Sequence, residues 1–322
     1  MSIPDDPLPF DLRRFTTKPL SGQEHLVETG RFARAIEPGA SAADFVASLP
    51  DFLGGTALRD LAKGIADAHA KGRPILWGLG GHVVKVGLAP ILLDLADRGY
   101  AQGFVLNGAA AIHDAEIAMH GSTSEDVGAG LFEGAYGNAR ETGVLFGEAS
   151  AAAAKSGGGL GPALGDALLS RRPPHESLSI LCRARRARIP VTVHVAIGTD
   201  TVHMHPACDG AAVGAATHTD FRRLATLIEG MDGGAYLNVG SAVLLPEVFL
   251  KAVALVHNAN PGQRVRLLTG NLDFLKHYRP RVNVVERPAE KGYELTGHHE
   301  ILLPLLRVAI LAAAGASGGS AP

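Results

Sequence analysis

The sequence predicts an α/β protein built on an open, doubly wound sheet that is mostly parallel. Three observations predict it. Short apolar runs alternate with amphipathic segments of helical length, the pattern of repeated strand-helix units. Most of those runs end in glycine or another small residue just before the next helix begins. Glycine itself numbers 40 of 322 residues, about 12% where roughly 7% is ordinary, while aromatic residues make up only 5%. Tight turns between packed elements are the expected use of so much glycine.

Residues 1–40 carry no regular pattern and are expected to form an irregular N-terminal arm of the kind that wraps a surface or packs on a neighbouring subunit. A single α/β domain is expected over 41–314. Its first helix places Leu58, Leu61 and Ile65 on one face, with Thr56 as expected N-cap and Lys71-Gly72 as its end. The first expected strand is Ile75 to Trp77. Val84, Leu88, Ile91, Leu92 and Leu95 then share one helical face that stops at Gly99. Further strands are expected at Phe104 to Leu106, Val191 to Ala196, Ala235 to Val239, Val265 to Leu268 and Val282 to Val285. Thr219 is the expected cap of a helix that turns Leu224, Leu227 and Ile228 inward. Pro246 suits the first turn of another helix, running to His257. Ser150 to Leu160 reads as a flexible surface segment, and 315–322 as a frayed tail. No 20–50-residue repeat is present.

Charge and composition exclude several functions. Thirty basic against thirty-two acidic side chains give a formal charge of -2, with no basic excess to hold a phosphate backbone, so no nucleic-acid partner is expected. Two cysteines, Cys182 and Cys208, cannot make a disulfide framework, and the N-terminus lacks the basic and apolar segments of a signal peptide. The chain reads as cytoplasmic. The most apolar stretch, Ile301 to Ala314, is broken by Pro304 and Arg307 and is shorter than the roughly 20 residues a bilayer needs. A buried terminal helix is expected there, and no membrane partner.

In open α/β sheets ligands bind in the crevice at the carboxyl ends of the strands, so the turns there are the candidate site. The first turn contains Gly78, Gly80, Gly81 and His82, where glycines let backbone N–H groups approach a pyrophosphate at a helix N-terminus. The third glycine of the dinucleotide fingerprint is replaced by Val83, so a tight turn without a ligand is the alternative. The second turn brings Asn107, Gly108, His113, Asp114 and Glu116 together. Asp114 and Glu116, two apart, do not share a helical face, so at most one of them faces a ligand. Asp114 is equally suited to capping a helix.

The third turn holds Asp200, His203, His205, Cys208 and Asp209. In an extended segment His203 and His205 point to one side, which allows either a metal site with Cys208 or Asp209, or hydrogen bonding and base catalysis by neutral imidazole. No second Cys or His pair completes a zinc signature, so no bound metal is expected. The fourth turn, Gly240-Ser241-Ala242, again suits close ligand approach but has no nucleophile elbow. His298-His299-Glu300 either caps the terminal helix or reaches the crevice.

From about Gly72 to Ile310 the order of these turns resembles the deoxyhypusine synthase family. The family's Thr-Thr-Ala-Gly-Gly-Val-Glu-Glu-Asp turn is similar in place to Asn107 through Ala115. Its Thr-Asp-Gly-Ser turn corresponds to Thr199-Asp200 after Ile189-Pro190-Val191, and its triple glycine to Gly240-Ser241-Ala242. Its Phe-Pro-Leu-Leu tract corresponds to Leu303-Pro304-Leu305-Leu306. The stretch from Asn107 to Asp114 is also similar to the NAD-binding domain of the arginine dihydrolase/ornithine cyclodeaminase type. These resemblances imply a Rossmann-like fold, bound NAD, a homo-oligomer (dimer or tetramer) and C–N chemistry on a small-molecule amine. They imply Asp200 as anchor for an ammonium and His113 or His205 as base. Gly78, Gly80, Gly81, His82, Asn107, Gly108, Asp114, Gly240 and Ser241 would then line the cofactor site.

The departures from the family pattern also carry information. Where the family has a Trp-Gly-Lys tract whose lysine forms an imine, this chain has Arg279-Pro280-Arg281. A guanidinium, protonated up to a pKa above about 12, supplies no free amine. Leu245 and Pro246 stand in place of a Lys-His pair, and His205 replaces a second acidic residue. The expectation is an NAD-assisted enzyme that does not make deoxyhypusine. The alternatives are a metal-assisted hydrolase or lyase at the His203/His205 turn, or a non-catalytic NAD or metabolite sensor.

Overall fold

The computed structural model describes residues 6–318. Six strands form one all-parallel sheet in the order β3-β2-β1-β4-β5-β6. They are β1 (Ile75–Leu79), β2 (Gly103–Asn107), β3 (Val191–His194), β4 (Ala235–Val239), β5 (Leu268–Asp273) and β6 (Lys291–Thr296). The chain runs outward from β1 through β2 to β3 and then returns to place β4 against the other side of β1. The strand order therefore reverses between β1 and β4, and a doubly wound sheet opens its crevice at that point.

The helices cover both faces, so β1, β3 and β4 are buried along their whole length and β2 up to Leu106. Before β1 come α1 (Ala42–Ser48) and α2 (Leu53–Ala70). Between β1 and β2 lie α3 (Gly81–Lys85) and α4 (Ala89–Asp97). Between β2 and β3 lie α5 (Gly108–His120), α6 (Val127–Glu133), α7 (Arg140–Ser156), α8 (Leu160–Ser170) and α9 (Ile180–Ala187). Then follow α10 (Gly210–Glu229), α11 (Leu244–Ala259), the single turn α12 (Tyr278–Pro280) and α13 (His299–Gly318). One apolar core, including Trp77, Phe104, Leu92 and Leu306, fills one face. A second, around Tyr236 and Phe249, fills the other.

Several expected elements are corrected. Val282 to Val285 is not a strand but part of a π-helical turn, Arg281–Glu286, that continues from Pro280. A short apolar run does not by itself distinguish strand from buried helix. The strand expected at Val265 to Leu268 begins only at Leu268 and runs through Thr269, Gly270 and Asn271, because its polar side chains find partners inside. Thr269 Oγ1 donates to the Val284 carbonyl, and Asn238 Nδ2 donates to Asn271 Oδ1 at 2.8 Å. Ser150 to Leu160 is not a flexible segment. Its alanines extend α7 to Ser156, consistent with their high helix propensity, and Gly157 at φ +67° ends the helix three residues before α8.

Thr56 lies inside α2, donating to Asp51, rather than at its N-cap. Thr219 lies inside α10, which Asp209 caps through the Ala211 N–H. The single helix expected up to Gly99 is two, α3 and α4, broken at Gly87 with φ +83°.

The terminal helix α13 buries Leu303, Leu306, Ala309 and Ile310 and packs against α2. It continues through Gly315 to Gly318. The rest of the expected tail, and Met1 to Asp5 of the arm, lie outside the described residues. By length and composition its window His299–Ala316 also suffices to cross a membrane, and 28% of that window is buried here. Residues 6–40 contain only three short 3-10 turns and lie exposed, with Leu8 91% and Phe15 73% accessible.

Candidate functional site

Four strand ends meet at the crevice. At the switch point the Gly80 N–H donates to the Val239 carbonyl at 2.9 Å, and the Gly240 N–H donates to the Leu272 carbonyl at 3.0 Å. The turns after β1 and β4 are in direct backbone contact, since a Cβ built on Gly80 would lie 1.9 Å from the Gly240 carbonyl oxygen. Glycine is required here, and so is Gly240, whose φ is +68°. At the next residue, a Cβ on Gly81 would lie 2.8 Å from Ala109 Cβ and 3.2 Å from His113 Cδ2. The start of α3 thus rests on the first turn of α5.

The turn after β3 closes on the same place. Asp200 Oδ2 lies 2.0 Å from where a Cβ of Gly108 would be, so this carboxylate covers the N-terminus of α5. Oδ2 is buried and has no hydrogen-bond donor among the described residues. Burial raises the Asp200 pKa, opposed by His203, whose Nδ1 is 3.9 Å from Oδ2. An anion received by α5 would have to share its N-terminus with this carboxylate, whereas the turn into α3 carries no acidic side chain.

His113, on the second turn of α5, is half-buried. Its Nδ1 lies 2.7 Å from Thr123 Oγ1, and Thr123 in turn donates to Glu116 Oε2. Thr142 Oγ1 donates to the other oxygen of Glu116 at 3.2 Å. Burial lowers the His113 pKa, and the charges of Lys85 and His82 lower it further, so the ring favours its neutral form. Lys85, His113, Glu116, Glu141 and Thr201 line a cavity of about 960 Å³ between α5, α7 and the 121–139 segment that contains α6. That is the size of a small-molecule site. Sequence reasoning missed Thr123 and Thr142. The spacing of ten and twenty-six residues from their partners gives no local signal, and only the reversal at Gly121, with φ +78°, returns Thr123 to His113.

Other expected site residues take different places. Asp114 is completely buried and faces away from the crevice, accepting from Ser179 Oγ and from the N–H groups of Ile180 and Leu181 at the start of α9. Gly78 sits inside β1, where a Cβ would collide with the Tyr236 hydroxyl. Asp114 and Gly78 are thus packing positions, not cofactor contacts. Asn107 caps α5 through the Ala110 N–H at 2.8 Å, and Ser241 Oγ accepts from the Leu245 N–H at 3.2 Å.

His203 and His205 do not share a side. The segment is a 3-10 turn, Thr201–Met204, not extended. His203 Nδ1 accepts from Gly198 and Asp200 N–H groups, while His205 Nδ1 accepts from Ala207 and its ring packs on Gly143. Among the described residues no group of three or more His, Cys, Asp or Glu side chains is arranged to hold a metal.

His299, the first residue of α13, does reach the crevice. Its Nε2 donates to the Leu272 carbonyl at 3.2 Å, and its ring centroid is 5.4 Å from that of His82. Arg279 and Arg281 are paired with Glu247 and Glu286.

The sheet order and its carboxyl-edge crevice define a Rossmann-like α/β fold. No protein-family model matches the sequence, and no curated protein matches it. Among solved structures the chain is similar to the ternary complex of AgrE with ornithine and NAD+, at 15% identity and a TM-score of 0.52. The match covers 81% of this chain and 34% of that one. It is also similar to ArgZ, an arginine dihydrolase from the ornithine-ammonia cycle in cyanobacteria, at 18% identity and a TM-score of 0.47, over 79% of this chain and 32% of that one. A third is a protein from Entamoeba histolytica described as a deoxyhypusine synthase. There the identity is 12% and the TM-score 0.48, over 85% of this chain and 94% of that one. The likeness to the AgrE complex is one of fold. The chain spans about a third of the length of the AgrE and ArgZ chains.

Proposed function

We propose that this chain binds NAD at the β1/β4 switch point and acts on a small amine or amino acid by NAD-assisted C–N chemistry, as a transferase, lyase or oxidoreductase. The observation that carries the reading is the buried, donor-less Oδ2 of Asp200, set beside the first turn of α5. A buried carboxylate oxygen without a donor is costly, and the ammonium group of a small amine would bring both the donor and the opposite charge. Thr201, the next residue, opens on the same cavity as His113. In this reading Asp200 anchors the substrate ammonium and His113 removes a proton from the reacting amine. His205 is set aside as base, since its Nδ1 and ring are engaged by Ala207 and Gly143.

The residues present fit NAD at one turn and not at another. Gly80, Gly81 and Gly240 let the turns pack on one another, and Gly81 with His82 opens α3, where backbone N–H groups favour negative charge. The first turn of α5, with Gly108 under Asp200, is already covered by a carboxylate and is less open to a second anion. Bound NAD would supply a hydride acceptor for the amine-bearing carbon. The AgrE complex with ornithine and NAD+ supports the reading by analogy of fold only.

Two further parts belong to the proposal. The chain does not make deoxyhypusine, because Arg279 and Arg281 stand in place of the imine-forming lysine and are paired with carboxylates. It also assembles as a homo-oligomer, because the exposed apolar side chains of residues 6–40 find no cover in one copy. Calorimetry with NAD+, then with ornithine or a short diamine in its presence, tests the function. Binding of NAD+ followed by an amine, with the amine step lost in Asp200→Asn, is expected. Absence of binding to both NAD+ and NADP+ overturns it.

A further inference from the structure

The network behind His113 determines more than the presence of a base. We infer that Thr123 and Glu116 are positioning residues that hold neutral His113 with its proton on Nδ1, so that Nε2 is the basic nitrogen offered to the site. The inference rests on the proposed function only in assigning His113 to the reaction. Its geometry stands independently.

The hydrogen count on Thr123 decides the tautomer. A threonine hydroxyl has one proton to give. That proton goes to Glu116 Oε2, since a carboxylate only accepts. Thr123 Oγ1 must then accept at its second contact, 2.7 Å from His113 Nδ1, so Nδ1 carries the hydrogen. Thr142 donates to the other oxygen of Glu116 at 3.2 Å and holds the carboxylate from α7. The chain of contacts therefore runs in one direction, from imidazole to hydroxyl to carboxylate. In free neutral imidazole the hydrogen is shared between the two nitrogens. A charge-assisted network of this kind biases it by about tenfold or more.

The other edge of the ring packs on the start of α3, with Cδ2, next to Nε2, 3.2 Å from where a Gly81 side chain would begin, and His113 lines the cavity it shares with Lys85 and Thr201. A bare Nε2 on that edge accepts a proton from a substrate ammonium. The amine becomes neutral, the imidazole becomes imidazolium, and Glu116 faces the new charge through Thr123. On product release the proton returns to water. The charged or titratable groups around the ring and its cavity are Lys85 and His82 on α3, Glu116 and His120 on α5, Glu141 on α7, and Glu125 and Tyr136 between α5 and α7.

The test is spectroscopic and does not require turnover. Long-range proton–nitrogen NMR of the full chain with labelled histidine, with His113 identified by the signals lost in His113→Gln, reports which nitrogen is protonated at neutral pH. The expected result is Nδ1–H with a bare Nε2. Thr123→Val removes the acceptor and should shift the tautomer ratio by about tenfold toward Nε2–H, whereas Thr123→Ser should restore it. An Nε2–H signal for His113 in the unaltered chain overturns the inference, even if Thr123→Val fails to fold. So does an unchanged ratio in a folded Thr123→Val protein. NAD+ calorimetry on the same samples keeps the two claims apart, since loss of NAD+ binding sinks the proposed function and leaves the tautomer result standing.

Discussion

The Asp200 carboxylate occupies the space that Gly108 leaves by having no side chain: a Cβ there would lie 2.0 Å from Oδ2. The turn after β3 and the start of α5 are joined by that contact, which requires glycine at this position. Gly108→Ala should push Asp200 out of place. We expect a stability loss of about 1 to 3 kcal/mol in urea titration, as for other overpacked interiors, together with loss of amine binding. Retained amine affinity in Gly108→Ala would remove Asp200 as the anchor.

Gly80 meets backbone instead of a side chain. Gly80→Ala would set its Cβ 1.9 Å from the Gly240 carbonyl oxygen, and neither strand end can yield easily inside a parallel ladder. The expected result is a larger loss than at Gly108, about 3 kcal/mol or more, and no detectable NAD+ binding by calorimetry in whatever fraction folds.

His113 gives a pH prediction. Its folded pKa lies below the ordinary 6.5, chiefly through burial and then through Lys85 and His82. The stability it adds is therefore present above pH 6.5 and lost as pH falls through the depressed folded value. Lys85→Ala removes one of the charges, so the His113 titration followed by NMR should move up toward 6.5. A downward shift would contradict the assigned cause.

Asp114 and Asp220 act in the opposite sense. Burial raises both from 3.8 to about 6, against the Ser179 hydroxyl and backbone N–H groups at Asp114, and backbone N–H groups and the Arg223 charge at Asp220. The folded chain keeps protons that the unfolded chain releases, so this stability is full below about pH 4 and declines as pH rises through about 6. In Asp114→Asn the denaturation midpoint should fall less steeply over that window than in the unaltered chain. An identical slope would mean Asp114 stays ionised in the fold.

Deleting residues 1–40 tests the arm. Light scattering should show a particle of fewer copies than the full chain gives, while the α/β domain keeps its helical circular dichroism. A full chain that is already monomeric would remove the basis for an oligomer.

Periodicity and glycine placement made the parallel α/β class legible, because alternating apolar runs report burial directly. They also located β1, β2, β3 and β4 closely, along with the turns that carry Gly80, His113 and Asp200. The polar strand at Thr269 to Asp273 was not legible, since its side chains are satisfied by Val284 and Asn238, far along the chain. Asp114 could not be sorted between ligand and cap from local pattern, because its partners at Ser179 to Leu181 lie more than sixty residues away. The amino-acid order determined which side chains stand at the carboxyl ends of the strands. Only the tertiary structure decided which way they turn: onto the start of α5 for Asp200, into the cavity beside α7 for His113, onto the Leu272 carbonyl for His299, and into α9 for Asp114. Orientation depends on distant donors and close packing, and neither is written in the spacing of neighbouring residues.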